Sequence, residues 1–111
     1  MRKYSVTAIA RHRLAHARSA PSGRSAETVY GGHEHRLRQT LIALTPGRRL
    51  ADVPIHGEAT VYIMCGRVRL TCRDSHDDAV AGDLVTIPAA HPPRVEALVE
   101  SVLVLTVAKP S

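Results

Sequence analysis

Seven histidines, two cysteines and ten Asp or Glu side chains hold whatever chemistry this chain of 111 residues can do. His33 and His35 form an H-x-H pair at the edge of an expected strand, where both rings can face one way and chelate a metal. His12 and His16 stand four apart, a chelating spacing on a helix. Neither pair comes with a third ligand that the sequence names, so solvated imidazoles are expected in both places. His76 falls in Asp74-Ser75-His76-Asp77-Asp78, read as a polar loop. Cys65 and Cys72 have no basic neighbour on an inward face to activate a thiolate. There is no Gly-x-Ser-x-Gly, no phosphate-cradling glycine loop and no paired-carboxylate motif.

The elements that must position these residues are mostly strands. Turns fall at Pro46-Gly47, His56-Gly57 and Cys65-Gly66, with strands between them. Ala59, Val61 and Ile63 alternate with Thr60, Tyr62 and Met64, the period of a half-buried strand. After Gly66 the alternation resumes, with Val68, Leu70 and Cys72 inward and Arg67, Arg69 and Arg73 outward. A hairpin centred on Gly66-Arg67 would set Cys72 opposite Val61, leaving the two thiols about 13 Å apart along the strands. A disulfide needs Cα atoms within about 7 Å, so reduced cysteines in a cytoplasmic protein are expected. Further strands are expected at Ala26 to Tyr30, after His35, at Leu84 to Ile87, at Val95 to Val99 and at Ser101 to Ala108. Leu37, Gln39, Leu41 and Ala43 would share one face of the second of these, with Arg38, Thr40, Ile42 and Leu44 on the other.

Ser5 or Thr7 can cap a helix that runs to about Ala20 and stops at Pro21-Ser22-Gly23. Val6, Ile9, Ala10, Leu14 and Ala17 share one face of it, which needs cover from the barrel or from a partner subunit. Many strands joined by short turns and one helix make an all-β barrel. It is read as one domain over 1–111, with a basic helix and linker over 1–24 and the barrel over 25–109.

Composition narrows the function. There is no Trp or Phe and only three Tyr, so the core is aliphatic and a base-stacking platform is excluded. Residues 1–24 hold six Lys or Arg and no acid, which accounts for the net charge of +5, since the rest is near balance. No second helix is visible to make a helix-turn-helix, so nucleic acid is not an expected partner. Nothing approaches the apolar length of a membrane span or a signal peptide. A small β-fold gains from dimerising, and a homodimer is expected.

The stretch from Pro46 to Leu70, PGRRLADVPIHGEATVYIMCGRVRL, resembles the first motif of the cupin family of small jelly-roll barrels, with Gly47 and Gly66 in register. Gly82 and Pro88, in AGDLVTIPAAHPP, fit the first half of the second motif. More closely, the chain resembles single-domain, cupin-2-type conserved barrel proteins of about its own length, whose role is poorly defined. The matching pieces are SGRSAETVYGGHEHRLRQTLIAL, GEATVYIMCGRVRL, AGDLVTIP and EALVESVLVLTVAK.

The resemblance implies a barrel metal site, and this sequence departs from it. The four ligand positions fall on Val53, Ile55, Ala59 and Pro93, none of which offers a side-chain donor. No cofactor is therefore expected at the usual position, and the metal-dependent activities the resemblance would imply are put in doubt. Val53, Ile55, Ala59, Val61 and Pro93 should instead line an apolar barrel mouth with His56 or His91 at its rim, the general form of a small-molecule site. The first reading is thus a metal-free cupin that binds a small apolar or amphipathic molecule, or serves a structural or sensing role. The alternative is a small enzyme with a shifted site at His56, Glu58 and His91, two imidazoles and a carboxylate being a ligand set for a divalent metal such as zinc.

Overall fold

The structure is a computed structural model that describes residues 1–50, 57–88 and 93–110. One helix, α1 (Val6–Ser19), precedes nine strands: β1 (Arg24–Tyr30), β2 (Leu37–Leu44), β3 (Arg49–Leu50), β4 (Glu58–Cys65), β5 (Arg67–Cys72), β6 (Ser75–Val80), β7 (Leu84–Ile87), β8 (Arg94–Ala97) and β9 (Ser101–Ala108). The strands form two antiparallel sheets. The larger runs β1-β2-β9-β4-β7 and the smaller β3-β8-β5-β6. This is the all-β barrel with a short N-terminal helix that the alternation implies.

Period-two patterning places the core between the sheets. Ala59, Val61 and Ile63 of β4 meet Val68 and Leu70 of β5, with Ile42, Leu44, Ile87, Val95, Leu103, Leu105 and Val107 completing it. The expected division of β2 is also seen. Ile42 and Leu44 face this core, whereas Leu41 and Ala43 face outward beneath the helix. With no Phe or Trp available, β-branched and Leu side chains fill the space, as suits pleated surfaces.

Two expectations are corrected. β4 and β5 are not a hairpin: β4 pairs with β7 and β9, and β5 with β6 and β8. Gly66 is where the chain leaves one sheet for the other, so Cys72 does not lie opposite Val61. Its partner across the strands is Ser75. Among the described residues both cysteines remain thiols, as expected. The second correction is Asp74 to Asp78. Only Arg73 and Asp74 form the turn, and Ser75 onward is β6. Arg73 adopts φ 57°, the left-handed conformation that a two-residue hairpin requires.

The sheet-to-sheet step is held by one hydroxyl. Ser101 is fully buried. Its Oγ accepts from the Arg67 amide at 3.0 Å and lies 2.8 Å from the Val99 carbonyl, to which it can donate. Gly66 has φ +90°, and a Cβ there would run into Ser101 Oγ and the Glu100 backbone. Only glycine satisfies both the backbone angle and the close approach.

Helix α1 begins where Ser5 Oγ accepts from the Ala8 amide at 3.2 Å, a normal N-cap. Its apolar face lies on the outside of the larger sheet. Ala10 and Ala17 are buried against Leu41, Ala43 and Val102, with Val6, Ile9 and Leu14 alongside. The cover for this face is therefore the chain's own barrel wall. Polar pins fix the helix: Arg13 Nη1 donates to Ser25 Oγ at 3.1 Å, His16 Nδ1 lies 3.1 Å from the same oxygen, and Arg18 pairs with Glu100.

Candidate functional site: an open seam between the sheets

β6 and β7 are each an edge strand, one in each sheet, and concavities lined by both mark a seam between them. A cleft of about 190 Å³ opens there. Residues directly opposite in an antiparallel pair share a face, and Leu70 is paired with Asp77 and Cys72 with Ser75. Leu70 lies in the inter-sheet core, so this set of four belongs to the inner side of the smaller sheet. Val85 and Pro88, in and just after β7 of the larger sheet, and Pro93, just before β8 of the smaller, add apolar lining, and His76 and Thr86 complete it. Ser75 Oγ donates to the Cys72 carbonyl at 3.1 Å, closing the tight turn at this end.

The seam continues past Leu70, Asp77 and Val85 into a second concavity of about 230 Å³, where Asp78, Ala79, Asp83 and Leu84 join the lining. Its carboxylates differ in what they already hold. Asp78 accepts from Arg69 Nε at 2.8 Å and from Arg67 Nη2 at 3.0 Å. Those hydrogen bonds, Arg69's foremost, hold its carboxyl at about 2 instead of 3.8. Asp83 Oδ2 accepts from the Val80 amide at 2.8 Å. Asp77 makes no ion pair among the described residues.

The residues expected at the barrel mouth are placed as follows. Pro93 lines the cleft. Ala59 and Val61 lie on the inner face of β4, 6% and 1% exposed, inside the core. Val53, Ile55, His56 and His91 lie outside the described residues. Glu58 is the exposed first residue of β4 and alternates with the inward-facing Ala59. Sequence reasoning missed Leu70, Cys72, Ser75, Asp77 and Val85 as site residues. The available signal was that only Arg73 and Asp74 separate the strand ending at Cys72 from an alternating Ser75, Asp77, Ala79.

The fold raises the question of a barrel metal, and the described donor positions do not fit one. Ala59 packs between Ile87 and Val107 across the strands, and Pro93 has no side-chain donor. Among the described residues, no group of three His, Cys, Asp or Glu side chains could hold a metal ion. His35 rests edge-on against Tyr30, ring centroids 5.3 Å apart. His16 is engaged with Ser25. No described helix is long and apolar enough to cross a membrane.

Two packed antiparallel sheets with this strand order form a cupin-like jelly-roll β-barrel. Comparison with solved structures agrees. The chain superposes on a conserved protein of unknown function from Streptococcus pyogenes with a TM-score of 0.72 at 22% identity, over 83% of this chain and 79% of that one. A cupin superfamily protein from Desulfitobacterium hafniense gives a TM-score of 0.72 at 15% identity, over 78% of each chain. A salicylate 1,2-dioxygenase from Pseudaminobacter salicylatoxidans gives 0.76 at 16% identity, over 95% of this chain and 34% of that one. No protein-family model and no curated protein sequence matches the chain.

Proposed function

We propose that the protein is a metal-free cupin barrel that binds a small amphipathic molecule in the seam between β5–β6 and β7, as a carrier or sensor rather than as a metalloenzyme. The observation that supports this is the lining, which combines the apolar Leu70, Val85, Pro88 and Pro93 with the polar groups of Cys72, Ser75 and Asp77. An apolar wall with a few polar groups is how proteins bind small molecules. The concavities, about 190 and 230 Å³, are each smaller than the roughly 300–1,000 Å³ of drug-sized sites, which suits a small occupant. The reading takes the protein as a homodimer in the cytoplasm, with neither a membrane nor nucleic acid as its partner.

The test is titration of the untagged protein with six- to eight-carbon alcohols, followed by calorimetry and by amide chemical shifts. Saturable binding with shifts at Leu70, Ser75 and Val85 is expected. Val85 is half-buried at the cleft wall, so a Val85→Trp substitution should fill the space and weaken binding by about tenfold or more. A wild-type protein that binds none of the alcohols, or a Val85→Trp variant that binds them unchanged, would remove this reading.

A further inference from the structure

We infer that the seam selects cations: its preferred occupant is a small alkylammonium molecule, with the apolar body against Val85, Pro88 and Pro93 and the ammonium group at Asp77. This rests on the ligand-binding reading above and specifies its chemistry. Asp77 is opposite Leu70 in the β5–β6 register, which gives it the inward side of the sheet at the junction of the two concavities. It is a charged residue where alternation calls for an apolar one. Asp78 and Asp83 border the second concavity too, but the first is taken by Arg69 and Arg67 and the second by the Val80 amide. Asp77 has no such ion-pair partner among the described residues.

Among the described residues, the two arginines of β5 are committed elsewhere. Arg67 and Arg69 alternate with the buried Val68 and Leu70, so they lie on the outer side of the sheet, where they bind Asp78. His76 borders the cleft from the neighbouring position of β6. Asp77 is exposed at the lip of the cleft, so its attraction for a cation is that of a solvent-accessible carboxylate beside an apolar wall, modest and screened by salt. An anionic ligand of the same size would meet Asp77 without a paired donor, a repulsion that itself confers selectivity.

Three probes of similar shape separate this inference from the reading it rests on: 1-hexanol, hexylammonium and hexanoate, titrated at low ionic strength where screening is weak. Hexylammonium should bind about fivefold more tightly than hexanol, the scale of a partly exposed ion pair, and hexanoate the most weakly. Asp77→Asn should abolish the preference, so that the variant binds hexylammonium and hexanol with equal affinity. Asp74→Asn, at the neighbouring turn, should preserve the preference and controls for net charge. Equal binding of hexanol and hexylammonium, or a preference that survives Asp77→Asn in a folded variant, overturns the cation assignment while ligand binding stands. Failure of all three probes to bind overturns both.

Discussion

At the scale of single residues, the shared carboxylate of Asp78 is the sharpest electrostatic feature. It sits on the outer face of the smaller sheet between two guanidiniums, and an Arg49–Glu96 pair at 3.5 Å extends the same cross-strand row. Because folding lowers the Asp78 pKa from 3.8 to about 2, its contribution to stability is present above 3.8 and is lost as pH falls towards 2. Asp78→Asn should therefore flatten the acid limb of the stability curve across that window. Urea midpoints measured from neutral pH down to the lower bound will show it, and an unchanged acid limb would contradict the assignment. The Glu100 carboxyl, hydrogen-bonded by Arg18, is shifted in the same direction.

At the scale of elements, helix α1 is a fitted part of the wall. Ala17 is completely buried against the larger sheet, while Ala15, two residues earlier, is exposed. A carboxylate at the fully buried Ala17 would be stripped of water, so Ala17→Asp should cost about 3 kcal/mol or more. Ala15→Asp should stay within about 0.5 kcal/mol. Paired chemical denaturation curves will measure the difference. The helix was legible from its cap and its spacing because both are local. The β4-to-β5 step was not, because alternation on both sides of Gly66 looks the same for a hairpin and for a change of sheet. Strand β6 was hidden for another reason: Ser75, His76, Asp77 and Asp78 have turn-like composition, yet pairing to β5 makes them a strand. The same misreading concealed Ser75 and Asp77 as cleft residues. Pro93, expected at the barrel mouth from the motif, lines the cleft, whereas Ala59 and Val61 lie in the core.

At the scale of the whole molecule, the uncovered part of the larger sheet points to assembly. The helix covers its β1-β2-β9 side, leaving β4 and β7 open. There Tyr62 and Leu84, directly paired across the strands, are 43% and 62% exposed. Adjacent exposed apolar side chains of this kind mark interaction surfaces, and a second copy is the occupant the small core calls for. Light scattering should give a dimer at micromolar concentration. Leu84→Glu should shift it to a monomer with an unchanged fold, and a monomeric wild-type protein would refute the proposal.

Strand β9 lies between β2 and β4, at the centre of the larger sheet, although it follows every other strand in the chain. During synthesis the first eight strands therefore emerge with the middle of their largest sheet missing. Leu41, Val61 and Ile63 cannot be enclosed until Ser101–Ala108 has cleared the ribosome and threaded between its neighbours. Most contacts that close the barrel join distant parts of the chain, which places its folding among the slower, β-rich class. Until the last strand arrives, both β2 and β4 present bare edges to other nascent chains, and a holding chaperone would find its substrate there.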